Sequence, residues 1–489
     1  MRIIYIDIDT LRADHIGCYG YQRNTTPNID KIAEEGTIFT NCYASDAPCL
    51  PSRASMFMGR FGIHTGIVGH GGTAADLRLK GKERDFEDQR YQNFWVNLIR
   101  SAGFHTVSIS PYAERHSAYW FYAPFKEIYN PGKKGMEIAD TVYPYAKKWL
   151  EENGKTDNWF LHINTWDPHT PYRTPMSYGN PFENDPPPSW ITQDIIDEHR
   201  KSYGPRSARD LLGFEEEEKF FLKAFPRIKS SEIKNLEDFK NWIDGYDVGI
   251  RYADDFIGKI IRILENLEIY DDTLIIISAD HGESQGELNV YGDHATADHF
   301  VNRIPMIIRW PGKGWNKEFD NLIYQADISA TIARGLRKKI PNSWDGKSFY
   351  QEIENNDDFG RDYLIISQNA WSSQRTVIFD KWTMISTYHT GLKDFPEIML
   401  FDRENDFHML DNLAEKRDDM VTQASKYLNE WHQQMMSTSE SQIDPLWTVW
   451  QEGGPSHCRG MLDKYIKRLK NTSRDHLINK ILEHNEPYG

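Results

Sequence analysis

The sequence predicts an α/β fold in which helices sandwich a large, mostly parallel central sheet, with a second, smaller domain. Apolar, β-branched runs such as IIYIDID, NWFLHINT and DTLIIISAD are typical of strands buried on both faces. Helical stretches alternate with these runs, which is the order that builds a parallel sheet covered by helices. The length of 489 residues exceeds what one small core needs, and this favours a large domain plus a smaller one.

Each element has a local signal in chain order. IIYIDID at the N-terminus predicts a buried strand, and NIDKIAEEG predicts a helix that ends at its glycine. SRASMFMGR predicts a helix that follows a turn. GFHTVSI, NWFLHINT and DTLIIISAD predict further strands, with the long helix GIRYADDFIGKIIRILENL before the last of them. RIPMIIRWPG predicts a strand that ends in a Pro-Gly turn.

The bulk composition argues against several classes of protein. A hydrophobic fraction of 39% without a long apolar run predicts no membrane span. The net charge of -16 argues against nucleic acid as a partner, although a local basic pocket still allows a small anionic substrate. The four cysteines (18, 42, 49 and 458) are too sparse for a disulfide framework. A strand follows Met1 directly, so we expect a cytoplasmic location if Met1 is the natural start.

Carboxylates and a histidine follow two of the predicted strands. Asp9 ends the first strand, and Asp280 and His281 follow TLIIIS. The carboxyl ends of parallel strands collect the chemistry of such sheets, so these side chains predict a site for a hard or borderline metal ion. Asp7 is assigned to the opposite strand face or to a deeper position and is not counted as a ligand.

Two further segments supply candidate residues at the same edge. Asp167 and His169 follow FLHINTW, the end of another strand. Cys49 and Arg53 lie where a turn leads into a helix. A helix N-terminus offers backbone N–H groups to a negative group, so we expect the Cys49 sulfur to lie at a functional position.

Several segments together resemble the type I sulfatases of the alkaline phosphatase-like superfamily. CLPSRASMFMGR matches the Cys-x-Pro-Ser-Arg signature and its following Gly-Arg pair. DTLRADHIGCYG and SADHG resemble the two metal segments, and WDPHTPY matches the Asp-Pro-His-x-Pro-Tyr loop. NRIPMIIRWPG, DGKSF and MLFDRENDFHMLDNLAEK resemble later landmarks. The resemblance thus covers nearly the whole chain before its C-terminal tail.

This resemblance implies a chemistry. Cys49 would be oxidised by a formylglycine-generating enzyme to formylglycine (3-oxoalanine), whose hydrated aldehyde attacks sulfur while a general acid protonates the leaving oxygen. Asp9, Asp280 and His281 would hold one divalent cation together with an oxygen of modified Cys49. Ca²⁺ is the first choice by resemblance, and Mn²⁺ suits the imidazole. Arg53 would bind the oxyanion or the diol.

The sequence departs from the family pattern in three places. Asp9 is followed by Thr10 and Asp280 by His281, where many members have Asp-Asp and Asp-Asn. The Gly-Lys-x-His that usually follows the GFHTVSI strand is replaced by SPYAERHSAYWF. Within that loop Arg115 and His116 are the candidate substrate-binding residues, unless the loop only shapes the pocket.

The third departure concerns the lysine expected between DHG and RIP. That position falls on His294, which is either a ligand of the sulfate or a histidine of a surface loop. We assign His169 as the leaving-group acid and His294 as the sulfate-binding group. The proline residues on either side of His169 favour a fixed loop.

The resemblance also divides the chain. Residues 1–360 correspond to a catalytic sulfatase domain, and residues 361–489 to a C-terminal α+β subdomain with a small antiparallel sheet, a helix and a C-terminal extension. The extension contains Trp447, Trp450, His457 and Arg459. It either packs on the surface or returns to rim the pocket, where a tryptophan stacks on a sugar ring.

We expect a sulfatase that hydrolyses the sulfate ester of a small carbohydrate. One alternative is a phosphonate or phosphate-ester hydrolase of the same fold, which the Asp-His metal pair and the missing Lys-x-His also permit. The other is a non-catalytic glycan-binding relative in which Cys49 stays unmodified. The intact cysteine signature and metal set argue against the binding protein. We expect neither nucleic acid nor membrane among the partners.

Overall fold

The computed structural model describes residues 1–77, 93–215, 217–315 and 317–485. Its strands, in chain order, are β1 (Arg2–Ile8), β2 (Thr37–Phe39), β3 (Cys42–Tyr43), β4 (Asp46–Ala47), β5 (His105–Ile109), β6 (Glu127–Tyr129), β7 (Trp159–Thr165), β8 (Thr273–Ala279), β9 (Ser284–Gln285), β10 (Tyr291–Asp293), β11 (Arg303–Ile304), β12 (Met306–Arg309), β13 (Glu318–Phe319), β14 (Ile323–Tyr324), β15 (Tyr363–Gln368), β16 (Ser373–Phe379), β17 (Trp382–His389) and β18 (Ile398–Asp402).

The α-helices are α1 (Pro27–Glu34), α2 (Cys49–Met58), α3 (Gly62–Thr65), α4 (Trp95–Ser101), α5 (Tyr112–Arg115), α6 (Ala139–Asn153), α7 (Gln193–His199), α8 (Glu218–Ala224), α9 (Leu236–Asn266), α10 (His299–Asn302), α11 (Gln325–Gly335), α12 (Tyr350–Asn355), α13 (Asp418–Thr438), α14 (Pro445–Gln451), α15 (Leu462–Asn471) and α16 (Ile478–Asn485). Short 3₁₀ turns lie at Ala13–His15, Gly17–Tyr19, Gly72–Ala75, Tyr119–Tyr122, Met176–Tyr178, Glu287–Asn289 and Asp475–Leu477. No helix in the described ranges is both long and apolar enough to cross a bilayer.

The central sheet has eight strands in the order β13-β2-β12-β8-β1-β7-β5-β6. β1 lies in its middle and pairs in parallel with β7 and with β8. β12 is antiparallel to both β8 and β2, so the sheet is mixed although most of its pairs are parallel. Every residue of β1, β7 and β8 is buried, as their continuous apolar sequences predict.

Helices flank this sheet in two groups. Helix α9 contacts both α1 and α6, and α2, α4 and α11 contact one another. The 31-residue α9 begins where the Asn235 side chain accepts a hydrogen bond from the backbone N–H of Asp238. Helix α2 is capped by Gly59, which has a left-handed φ of 64°. A Cβ at this position would lie 2.1 Å from the Trp344 ring. The predicted helical layers are confirmed.

A second sheet has the order β18-β17-β16-β15-β4. Strands β15 to β18 form an antiparallel meander against which α13 packs with an apolar face. The last strand, β4, comes from much earlier in the chain and pairs in parallel with β15. Because β4 ends directly before α2, the first turn of α2 is held between the two sheets.

Candidate active site

The predicted strand-end residues meet at one edge of the central sheet. Ile8 at the end of β1 pairs with Thr165 of β7 and with Ala279 of β8, so the three strands end side by side. Asp9 and Asp280 therefore follow neighbouring strands at the same level. Thr10 turns the chain away from the sheet with a φ of 57°, and its backbone N–H donates to Asp280 Oδ1 at 3.2 Å.

Cys49 is the first residue of α2 and is buried. Its Sγ lies 3.2 Å from Nε2 of His281. The other ring nitrogen of His281, Nδ1, donates to the carbonyl of Gly282 at 2.7 Å, and this leaves Nε2 as the unprotonated atom that faces the sulfur. Ser52 Oγ donates to the carbonyl oxygen of Asp280 and so ties α2 to the end of β8.

Four side chains form a candidate cation site. One ligand atom each from Asp9, Cys49, Asp280 and His281 lies within 4.8 Å of every other, and all four residues are buried. Asp9 Oδ1 is buried and has no hydrogen-bond partner among the described residues. An unpaired carboxylate oxygen is costly to bury, and two carboxylates with an imidazole suit a divalent cation. The residues therefore fit the ion that the sequence predicts.

Arg53 lies underneath this site and donates to three carboxylates. Nη1 contacts Asp280 Oδ2 at 2.6 Å and Asp9 Oδ2 at 3.0 Å, while Nε and Nη2 contact Asp7 at 2.7 and 3.1 Å. These four bonds use four of the five guanidinium N–H groups. Asp7 thus lies on the same side of β1 as Asp9 and two residues deeper in the strand, which is the second of the two positions predicted for it, and it is not among the clustered cation ligands.

Buried charge dominates the electrostatics here. Burial raises the pKa of Asp9, and repulsion by Asp280 raises it further. Burial likewise raises the pKa of Asp280, although Arg53 opposes the rise. The pKa of Cys49 is also raised, first by burial and then by these two carboxylates. One guanidinium faces three carboxylates, so the site has the excess negative charge that attracts a cation.

His169 and His294 lie beside this cluster. His169 Nε2 is 3.9 Å from Asp9 Oδ1, and its Nδ1 donates to the carbonyl of Thr170 at 2.6 Å. The His294 ring centroid is 5.5 Å from that of His169 and 4.5 Å from that of His281. His294 is buried, and it is therefore not a surface histidine. Burial lowers the pKa of His169, and it lowers that of His294 to about 3.

The divergent loop also reaches the site. His116 follows α5, and a ring nitrogen of His116 lies within 4.8 Å of Cys49 Sγ. Nε2 of His116 is buried without a hydrogen-bond partner in the described ranges. Arg115 is exposed, and its positive charge is among the influences that lower the pKa of Cys49 against the larger effect of burial. The structure thus brings His116 to the sulfur and leaves Arg115 at the rim.

Two histidines that the strand-end reasoning did not assign complete the site. His70 Nε2 lies 3.5 Å from the backbone N of Leu50, and its Nδ1 lies 2.9 Å from His457 Nε2. His457 stacks on Trp371 with ring centroids 4.5 Å apart. The C-terminal extension therefore returns to the pocket, which is the second of the two arrangements predicted for it. Its Trp447 is 48% exposed, and stacking on a sugar remains a prediction.

His70 carried only a weak sequence signal. It follows no strand, and its flanking glycines in GHGG indicate a turn rather than a site. The sequence places His457 in the C-terminal extension without assigning it a partner. Its partner is 387 residues away in the chain, a separation that no local pattern bridges.

Comparison with known proteins adds a family and a fold. A family model described as Sulfatase matches residues 2–336. An arylsulfatase of Clostridium perfringens is 26% identical over 405 residues, which cover 74% of this chain and 80% of that relative. A solved structure of a protein in complex with its substrate D-glucosamine-2-N,6-O-disulfate matches with a TM-score of 0.69 at 18% identity, over 89% of this chain and 98% of that one. The phosphonate monoester hydrolase from Silicibacter pomeroyi matches with a TM-score of 0.67 at 20% identity, over 90% and 96% of the two chains.

Proposed function

Because this chain belongs to the sulfatase family and has its alkaline phosphatase-like fold, we propose that it hydrolyses the sulfate ester of a small carbohydrate through a formylglycine derived from Cys49. One observation carries the proposal. Cys49 opens α2 in a buried ring of Asp9, Asp280 and His281, with its sulfur 3.2 Å from the imidazole. A buried cysteine that only packs in a core does not require two carboxylates and an imidazole around it. An oxygen nucleophile formed at this position would require them.

Asp9, Asp280 and His281 would hold the divalent cation, and Ca²⁺ or Mn²⁺ suits this donor set. When bound, the cation supplies positive charge that favours a nucleophilic oxygen and the negative sulfate group. Arg53 holds Asp9 and Asp280 through Nη1 and so fixes the spacing of the two carboxylates. We therefore assign Arg53 a positioning role first, with its one remaining N–H available to an oxyanion.

His169 is our candidate for the leaving-group acid. Its Nδ1–H is committed to the carbonyl of Thr170, so Nε2 is the atom that accepts and later delivers a proton. Burial lowers the pKa of His169 in the free protein, and a bound sulfate ester counters this because its negative charge favours the imidazolium. Substrate binding and protonation of His169 are thereby coupled.

His294 and His116 are our candidates for sulfate binding, with Arg115 at the rim. Both histidines have a buried ring nitrogen without a hydrogen-bond partner in the described residues, Nδ1 in His294 and Nε2 in His116. Such atoms are costly unless a ligand contacts them. Histidines thus take the place of the family's lysines, and the pocket gains positive charge only when an anion is bound.

A carbohydrate substrate is supported by the solved structure that holds a glucosamine disulfate and by the glycan sulfatases among the relatives. A phosphonate monoester hydrolase is the second candidate. The likeness to the Silicibacter pomeroyi enzyme, the Asp280-His281 pair and the missing Lys-x-His after the GFHTVSI strand favour it. The glycan-binding alternative has less support, because the cysteine and the carboxylate cluster are both intact.

The two activities are separated by rates on matched esters. Protein produced with a formylglycine-generating enzyme would be given sulfated glucosamines, an aryl sulfate and an aryl phosphonate monoester, with Cys49→Ala as the inactive control. We expect the highest kcat/KM on one sulfated sugar. A higher kcat/KM on the phosphonate would make the second candidate the function, and tight sugar binding without turnover would favour the binding protein.

A further inference from the structure

Cys49 belongs to a second group of potential metal ligands, and this group contains no carboxylate. A ring nitrogen of His70, a ring nitrogen of His116 and the Cys49 sulfur all lie within 4.8 Å of one another. We propose that the protein with Cys49 unconverted binds a thiophilic divalent cation, represented by Zn²⁺, through Cys49, His70 and His116. The three residues come from separate segments, and none of the carboxylates takes part.

His70 is held in the orientation of a metal ligand. Its Nδ1 shares a hydrogen bond with His457 Nε2 at 2.9 Å, so Nε2 of His70 is the nitrogen that faces the first turn of α2. His457 is itself fixed, because its ring stacks on Trp371 and its backbone N–H donates to the Ala370 carbonyl at 3.0 Å. Metal-binding histidines are commonly oriented by a hydrogen bond to their second nitrogen.

His116 supplies an independent sign of a ligand. Its Nε2 is buried and has no hydrogen-bond partner in the described residues. Its backbone N–H donates to the carbonyl of Tyr112 at 3.1 Å, and its ring packs near Tyr112 and Trp166, at centroid distances of 5.4 and 6.2 Å. A ring fixed from two sides with an unsatisfied nitrogen is poised to bind something on its free side.

The donor types select the metal. One thiolate and two imidazoles are the ligands that Zn²⁺ and Co²⁺ prefer, and three protein ligands leave a fourth position for water. The thiol proton passes to solvent when the metal–sulfur bond forms. Conversion of Cys49 to formylglycine removes the sulfur and with it this site, while Asp9 and Asp280 remain. The chemical state of one residue would thus decide which class of cation the pocket holds.

A second set of histidines could bind a cation through the same sulfur. Cys49, His281 and His294 also lie within 4.8 Å of one another. His281, however, faces the carboxylates as well, and it contacts Asp280 Oδ2 at 3.4 Å. We place the thiophilic cation on the His70 side because both of its imidazoles are free of carboxylate contacts within the described residues.

The test uses the full-length, unconverted, reduced protein with Co²⁺ as a spectroscopic probe and Zn²⁺ as its competitor. We expect one equivalent of Co²⁺ to give thiolate-to-cobalt charge-transfer absorption with tetrahedral d–d bands, which Zn²⁺ abolishes. His70→Ala and His116→Ala should each weaken binding at least tenfold, and His457→Ala, which removes only the orienting partner, about tenfold. Asp9→Asn and His294→Ala are the controls and should leave the bands unchanged.

The Co²⁺ spectra of the parent protein and its variants decide between the possible sites. Absence of a thiolate band in the parent protein, or its persistence in both His70→Ala and His116→Ala, would overturn the proposal. Loss of the band in His294→Ala or in Asp9→Asn, with His116→Ala unaffected, would also overturn it and would place the cation on the competing histidine set or on the carboxylate site. Circular dichroism of each variant shows whether it is folded, and His70→Gln and His116→Gln repeat the test with less change in volume. Because the unconverted protein is used, a negative result leaves the sulfatase proposal untouched.

Discussion

Replacing Arg53 by methionine should destabilise the protein far more without a bound cation than with one. Arg53 is 2% exposed and makes four hydrogen bonds to Asp7, Asp9 and Asp280. Removing one partner of a buried ion pair typically costs about 3–5 kcal/mol, because the other charge stays buried without compensation. Protonation relieves part of this cost, since burial already raises the pKa of Asp9 and of Asp280. We therefore expect a loss of about 3 kcal/mol near pH 7 in the metal-free variant.

With Ca²⁺ or Mn²⁺ bound, the variant still lacks all four bonds, but the cation compensates the charges of Asp9 and Asp280, and only Asp7 is left without a counter-charge. Each hydrogen bond to a charged group is worth roughly 1.5 kcal/mol or more. Asp7 can relieve part of this cost, because it can be protonated and keeps a contact to His162 at 3.4 Å. We therefore expect the cation-bound variant to lose about 1 kcal/mol of its free energy of unfolding. The cation should thus stabilise Arg53→Met by about 2 kcal/mol more than it stabilises the parent protein, and bind the variant correspondingly more tightly.

The assay is urea unfolding followed by tryptophan fluorescence, in chelator and in saturating Ca²⁺. Arg474→Met is the matched control, because Arg474 is also buried and bonds Asp210 through both Nη atoms at 2.8 Å, outside the site. Its loss of stability should not depend on the cation. If Arg53→Met loses the same stability in both conditions, Arg53 and the cation do not share Asp9 and Asp280, and the cation site is misplaced.

Three further predictions concern the acid, the metal and pH. His169→Ala should lower kcat/KM on a sugar sulfate by roughly 10² to 10⁴, yet much less on an activated aryl sulfate, because its phenolate leaves without help. His294→Ala should lower kcat/KM on the two substrates by similar factors. Leaving-group dependence in His294→Ala instead would reverse the two roles. Asp280→Ala should abolish Ca²⁺ binding by calorimetry and activity together while its circular dichroism is unchanged; undiminished activity in a metal-free preparation would refute the cation. Burial lowers the pKa of His457 to about 4, so the folded protein binds fewer protons than the unfolded chain, and its stability should fall as pH drops below the usual histidine range. At pH 5 the lost free energy of unfolding amounts to about 2 kcal/mol. Urea unfolding at pH 7 and pH 5 should show that the parent protein loses this much more stability than His457→Asn does. An equal loss in the parent and the variant would contradict the prediction.

The strands and helices near the site could be predicted because their signals are local. β1, β7 and β8 are continuous apolar runs, and parallel strands end at one edge whatever their order in the sheet. This alone was enough to bring Asp9, Asp280 and His281 together. The position of Cys49 at a helix start followed from its turn-forming neighbours.

What escaped prediction depends on contacts between distant segments. β4 joins the second sheet beside β15, and this pairing is what fixes the start of α2, but a two-residue strand has no pattern of its own. His70 meets His457 only because the extension folds back over the pocket. For Asp7 the sequence leaves two positions open, and the two-residue period of a strand favours the one that the structure has, on the same face as Asp9 and deeper in β1.

Sulfate release measured against the degree of conversion tests the central claim most directly. Preparations with different fractions of aldehyde at Cys49, determined from the mass of the peptide spanning residues 47–60, would be compared for inorganic sulfate released from a sulfated sugar. We predict that kcat rises in proportion to the aldehyde fraction and that Cys49→Ser stops after at most one turnover with sulfate bound to the protein. Full turnover by Cys49→Ser, or sulfate release that is independent of the aldehyde fraction, would contradict a nucleophile derived from Cys49.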